Sequence, residues 1–276
     1  MEEDINSSAE GSSNVLIMFP EFETLKKEVE KLRTELSMLY LERDNLLYQE
    51  CKNIEMAYLL AVGALEYKVF ELDCRIRRQK RKAELIQARK NRQEKVLINV
   101  IEEILDAEFA EYQRALDEQI EKMNEALERN GMKSLTEEET AELKKLYRAI
   151  VKALHPDLHP DLTEEQQGLF VNAVEAYKRG DLDTLTVIAA MILDSDIQEK
   201  TDGISALAKE KKRLCELLKS VNERITEIKS EFPYTVKELV GSPERIEARK
   251  AELQEHIDSL TEIFKAYNDR IAEMLR

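Results

Sequence analysis

Across residues 22–274 of this 276-residue chain, apolar side chains recur three and four positions apart, with only short lapses. That spacing puts them on one face of an α-helix. With 7 Gly and 5 Pro in the whole chain, few positions can stop a helix once it has started. The expectation is an all-α protein of long, coiled-coil-like helices rather than a compact mixed fold. Leu25, Val29, Leu32, Leu36 and Leu39 follow Phe22 in an alternating three–four step, a heptad pattern over about three repeats. A second helix is expected from about Asn53, through Leu59, Leu60, Leu65, Val69, Leu72 and Ile76, to about Lys90. Gly63 inside it costs about 1 kcal/mol relative to Ala and marks a close helix approach. A third helix uses Ile98, Ile101, Leu105, Phe109, Tyr112, Leu116, Ile120, Met123 and Leu127. The apolar pattern lapses between Asn91 and Lys95, which leaves either a turn or one continuous helix.

Charge is segregated over the same stretch. Residues 75–95 hold ten basic side chains against Glu84 and Glu94, and residues 102–128 hold ten acidic ones against Arg114 and Lys122. If the chain turns near 91–95, the two runs lie antiparallel and can pair, which sets register more than stability. Read alone, the basic run would suit nucleic acid or an anionic membrane. The net charge of −15, the acidic neighbour and the lack of interleaved aromatics argue against nucleic-acid binding.

The C-terminal part, residues 196–276, reads as a helical hairpin. Ile204, Leu207, Leu214, Leu218, Val221, Ile225 and Ile228 form one stripe. Ile246, Leu253, Ile257, Leu260, Phe264, Tyr267, Ile271 and Met274 form the return. Phe232-Pro233 ends the first helix, and Ser242-Pro243 supplies a cap with Pro at the first helical position. Whether the two pair with each other or with a second copy is left open. Residues 1–16, rich in Ser and Asn, read as a disordered tail.

The middle of the chain carries the most specific motif. Leu143, Leu146, Tyr147, Ile150 and Leu154 share a helical face, and Lys144, Arg148 and Lys152, with Lys145 beside them, form a basic stripe. Pro156 disfavours helix at His155 and removes a donor, so the helix stops in an exposed, stiff His155-Pro156-Asp157 turn. Phe170, Ala173, Val174 and Tyr177 repeat the apolar spacing in a following helix that closes on Glu175-Ala176-Tyr177.

Residues 143–177 resemble the second helix, signature loop and third helix of the J domain, the DnaJ family. The resemblance implies a small helical domain at 130–195, flanked by a long-helix region at 17–129 and the C-terminal helices. It also implies a partner, a DnaK-type ATPase chaperone. Lys144, Lys145, Arg148 and Lys152 would dock on it, and His155, Pro156 and Asp157 would trigger ATP hydrolysis, while the coiled-coil arms bind a client protein or a second copy. Several family features differ. No Asp-Tyr-Tyr segment precedes the basic helix, no Gly/Phe-rich segment or Cys-x-x-Cys-x-Gly-x-Gly repeat is present, and Leu158 stands where the family has Lys. After Tyr177, Gly180 interrupts the helix and an apolar helix follows instead of a basic one. A coiled-coil scaffold with a non-activating J-like domain is therefore the alternative.

Other chemistry finds little support. His155 and His159 with Asp157 and Asp161 have metal-ligand spacing only on a helix, which Pro156 and Pro160 forbid. The second copy, His159-Pro160-Asp161, falls in the loop. No Gly-rich phosphate loop, Gly-x-Ser-x-Gly or Cys–His pair occurs, so the reading is of a non-enzyme with no cofactor and no metal. Cys51, Cys74 and Cys215 are isolated, the start is not leader-like, and the longest apolar run, 57–65, is too short to span a bilayer. These features point to a soluble, cytoplasmic protein without a membrane segment.

Overall fold

The computed structural model describes residues 20–131, 135–193 and 203–276; the expected tail at 1–16 lies outside them. The protein is all-α, with no strand among the described residues. The elements are α1 Pro20–Asn45, α2 Cys51–Tyr58, α3 Ala64–Asn91, α4 Ile98–Gly131, α5 Glu137–Leu154, α6 Glu164–Arg179, α7 Leu182–Leu193, α8 Ile204–Ser230, α9 Lys237–Val240 and α10 Pro243–Leu275.

The first break expected near residue 50 does not form. Helical backbone continues from α1 through α3, and the apolar register is adjusted by two π-helical turns, Leu46–Glu50 and Leu59–Gly63. A π-turn widens the helix locally without ending it. Gly63 closes the second of these turns, where an added Cβ would lie 3.3 Å from Leu59 and 3.8 Å from Met123 of α4. The tight neighbour is thus Leu59 of its own helix, while α4 stands at ordinary van der Waals distance, so the close helix approach expected here is not what requires a glycine.

The chain does turn after α3. Gln93 takes φ 57°, and the Arg92 amide donates back to Ala88 and Arg89 carbonyls. Helix starts follow the capping chemistry written in the sequence. Thr136 Oγ1 accepts from the Glu139 amide at 3.1 Å while Glu139 accepts from the Thr136 amide at 2.8 Å, a reciprocal capping box opening α5. Thr163 and Gln166 do the same for α6, at 3.3 and 3.0 Å. Gly180, at φ 71°, ends α6 in the left-handed conformation, and the Asp181 amide reaches back to the Ala176 carbonyl at 2.9 Å. Ser242 accepts from the Arg245 amide with Pro243 in the first turn of α10.

Two compact units result. The first contains α1 to Leu41, Lys144–Ala176 and Asp181–Glu223. Its buried residues include Val29, Leu36, Tyr40, Tyr147, Ile150, Val151, Leu154, Leu158, Phe170, Ala173, Leu185, Ile188 and Leu214. Lys211 pairs with Glu28 at 2.8 Å and Arg33 with Glu210 at 3.4 Å, so α8 runs alongside α1.

The second unit contains Glu42–Leu143, Tyr177–Gly180 and Arg224–Arg276. Here α3 and α4 are antiparallel, and the two charge runs pair. Arg78 bonds Glu102 and Asp106 at 2.6 and 2.7 Å, Arg81 bonds Glu108 in a two-point contact at 2.9 Å, and Lys82 bonds Glu102. Beneath them Ala83, Ile86, Ile101 and Leu105 are buried together with Ile271 of α10. Leu253 packs with Tyr58 and Val62, and Ile257 and Leu260 pack with Leu72.

The hairpin expected at the C-terminus is therefore corrected. Lys229 reaches Glu42, Lys237 reaches Glu50 and Arg249 reaches Glu66, across separations of 187, 187 and 183 positions. A nearly constant separation means the C-terminal segment runs in the same direction as the N-terminal one and does not fold back. The connection is occupied by a 3₁₀ turn, Tyr234–Val236, and by α9, which carry the chain onward.

Candidate functional site

The His155-Pro156-Asp157 turn lies directly after α5, in the first unit. The His155 amide donates to the Val151 carbonyl at 3.0 Å, the last helical bond, and the His155 carbonyl accepts from the Leu158 and His159 amides at 2.9 and 3.0 Å. The turn is thus closed on its own backbone. Asp157 donates its amide to Nδ1 of His155 at 3.1 Å. Pro156 and Asp157 are exposed, and the Asp157 side chain keeps 50% of its accessible surface.

His155 is not exposed, which corrects the expected presentation of the whole tripeptide. It retains 5% of its surface. Its ring stacks on Tyr40 of α1, with centroids 3.7 Å apart and planes 17° from parallel, and meets the edge of Phe170 of α6 at 5.1 Å. Stacking of this kind places the apolar body of the imidazole in the core while Nδ1 keeps its hydrogen bond from the Asp157 amide. Tyr40 also donates its hydroxyl to Asp157 Oδ2 at 2.7 Å. From α8, Arg213 donates to the Asp157 carbonyl at 2.7 Å while binding Glu210 through two nitrogens, each at 2.7 Å. Those bonds hold the Glu210 carboxyl below its ordinary value, Arg213 first and Arg33 further down.

The basic stripe stands where the sequence puts it. Lys145, Arg148 and Lys152 are exposed on α5 and Lys144 is half-buried, while Leu143, Tyr147, Ile150 and Leu154 are buried on the other side of the helix. Leu158 is wholly buried, so the residue that directly follows the tripeptide is a core position. In the second tripeptide, His159 Nε2 meets the Lys152 carbonyl at 2.7 Å, one of the last carbonyls of α5. Neither imidazole is therefore turned toward a shared ligand, and among the described residues no group of three or more His, Cys, Asp or Glu is placed to hold a metal.

Tyr40 and Arg213 were not identifiable as parts of this site from sequence. Tyr40 follows the heptad residue Leu39, and Arg213 lies on the polar side of an apolar stripe. The one available signal is that Leu36 and Tyr40 stand four apart and share a helical face. Among the described residues no helix is long and apolar enough to cross a membrane.

No family model, curated protein or solved structure matches this chain.

Proposed function

We propose that this protein is a co-chaperone of the J-domain type, stimulating ATP hydrolysis by a DnaK-type chaperone through the His155-Pro156-Asp157 turn. One observation carries the reading: an exposed Asp157 and Pro156 stand at the end of a helix that also exposes Lys145, Arg148 and Lys152. A basic helix face steers an acidic partner surface, with an attraction that weakens as salt rises. The turn, stiffened by Pro156 and closed on its own backbone, then meets that partner with little ordering cost. No step of bond chemistry is assigned to this chain; hydrolysis would occur in the partner.

The test is single-turnover ATP hydrolysis by a DnaK-type chaperone with the chain in excess. Acceleration that disappears in Asp157→Asn, with the helical content unchanged, is the expected result.

A specific observation favours a second reading, that of a scaffold in which the J-like segment is kept for packing. His155 and Leu158, two residues of the turn region, are buried in the unit's core. A chain that accelerates nothing at saturating excess, and gains nothing when the contacts on the turn are removed, is that scaffold.

A further inference from the structure

We propose that Tyr40 and Arg213 form a latch that holds the His155-Pro156-Asp157 turn closed, and that its release admits the partner. The proposal rests on the co-chaperone reading for its consequence, but the closure of the turn is a property of this chain by itself. Two elements far apart in sequence converge on one residue. Tyr40 stands 117 positions before Asp157 and takes one carboxylate oxygen, while Arg213 stands 56 positions after it and takes the main-chain carbonyl. Each of these acceptors would otherwise be available to a partner that recognises the turn. The same Tyr40 ring covers one face of His155, so a partner cannot reach that face without displacing α1.

The contacts are built to open without leaving a stranded charge. The Asp157 side chain is half-exposed, so water replaces Tyr40 when the bond breaks. Arg213 keeps its two-point contact with Glu210 whether or not it holds the carbonyl. Near the latch, α1 and α8 are themselves joined by charge, Glu28 to Lys211 and Arg33 to Glu210, so both arms of the latch are held in place by pairs that salt or a charged partner weakens. The Tyr40 ring stays buried while the Asp157 carboxylate it holds is half-exposed, so water can compete for that acceptor.

The test uses the full chain with Tyr40→Phe, which keeps the stacked ring and removes only the hydroxyl, and independently Arg213→Gln at a half-buried position. Two quantities are read: the hydrogen-exchange rate of the Asp157 amide by NMR, and stimulation of single-turnover ATP hydrolysis by a DnaK-type chaperone at sub-saturating chain. Loss of one such hydrogen bond is expected to raise both by about ten-fold over the native chain. The double variant is expected to exceed either alone. Faster exchange with greater stimulation supports the latch. Exchange that is unchanged in both variants overturns it, whatever the chaperone does. Faster exchange with reduced stimulation also overturns it, because the two residues would then be positioning the turn for its partner. Faster exchange with no stimulation from any variant leaves the turn latched but removes the co-chaperone reading.

Discussion

Leu158 shows how far the setting of one residue can depart from what a motif leads one to expect. It directly follows the tripeptide, where the resemblance to the J domain would suggest a solvated lysine. In the structure it retains none of its surface, and its amide closes the turn on the His155 carbonyl. Introducing Lys there forces an ammonium into an apolar site or displaces the turn. Leu158→Lys is therefore expected to cost about 3 kcal/mol or more of unfolding free energy, as burial of an unpaired charge does. Urea denaturation checks this; a change within about 0.5 kcal/mol, the usual surface value, would show that the position is solvated after all. The sequence located the turn correctly because Pro156 is a local signal: it stops α5 whatever surrounds it. The exposure of His155 was not legible, because it depends on Tyr40 and Phe170, and nothing near His155 encodes the ring that covers it. Burial also raises the thiols of Cys51 and Cys74, whereas Cys215 is exposed.

At the level of elements, helix ends were the most legible part, since caps are local. Gly180, and Ser242 with Pro243, each appear as read, and Thr136 with Glu139 opens α5 by the same kind of local chemistry. The buried face of α1 was harder. Of the heptad stripe, Val29 and Leu36 are buried but Leu25, Leu32 and Leu39 are only half-buried, whereas Ser37 and Tyr40, outside that stripe, are buried beside them. Ser37 satisfies its hydroxyl on the Thr34 carbonyl at 2.7 Å, so a polar residue sits in the buried stripe and obscures it. The pairing of α1 with α8 also depends on charge. Glu210 is held below its ordinary carboxyl value by the Arg213 and Arg33 hydrogen bonds, so the folded state binds the proton more weakly than the unfolded chain does. The contribution is complete above the unfolded value of about 4.3 and is lost as pH falls through the lowered folded value. Glu210→Gln should thus cost about 1 kcal/mol near pH 7 and progressively nothing in acid. Urea midpoints of the two proteins across that range decide it: a gap that persists undiminished below the folded value would mean the glutamate acts through packing and not through its charge.

On the scale of the whole molecule, the path of the chain depends on which stripes find each other, and local sequence cannot specify that. The apolar stripes of α8 and α10 both have helical spacing and can each serve as half of a hairpin, so the antiparallel reading was as reasonable as any. The choice is made by long-range partners in the second unit. Leu253 meets Tyr58 and Val62, Ile257 and Leu260 meet Leu72, and Ile271 joins Ile86 and Leu105, while Arg249 reaches Glu66 and Arg75 lies 4.6 Å over the Phe264 ring. Tyr58 gains from the same packing: burial first, then its bond to Glu66, pushes its hydroxyl up to about 12. If α10 is a structural half of this unit, then ending the chain at Gly241 uncovers one continuous apolar face on α2 and α3. Tyr58, Val62, Leu72 and Ile86, buried in the intact chain, would all lose their cover. A face of that kind does not stay in water, so the shortened chain is expected to self-associate or to lose helix beyond the residues removed. Sedimentation velocity and circular dichroism read the two outcomes directly. A shortened chain that stays monomeric, with undiminished helix per remaining residue, would mean that α3 and α4 form a stable pair unaided and that α10 is an addition to the unit, not half of it.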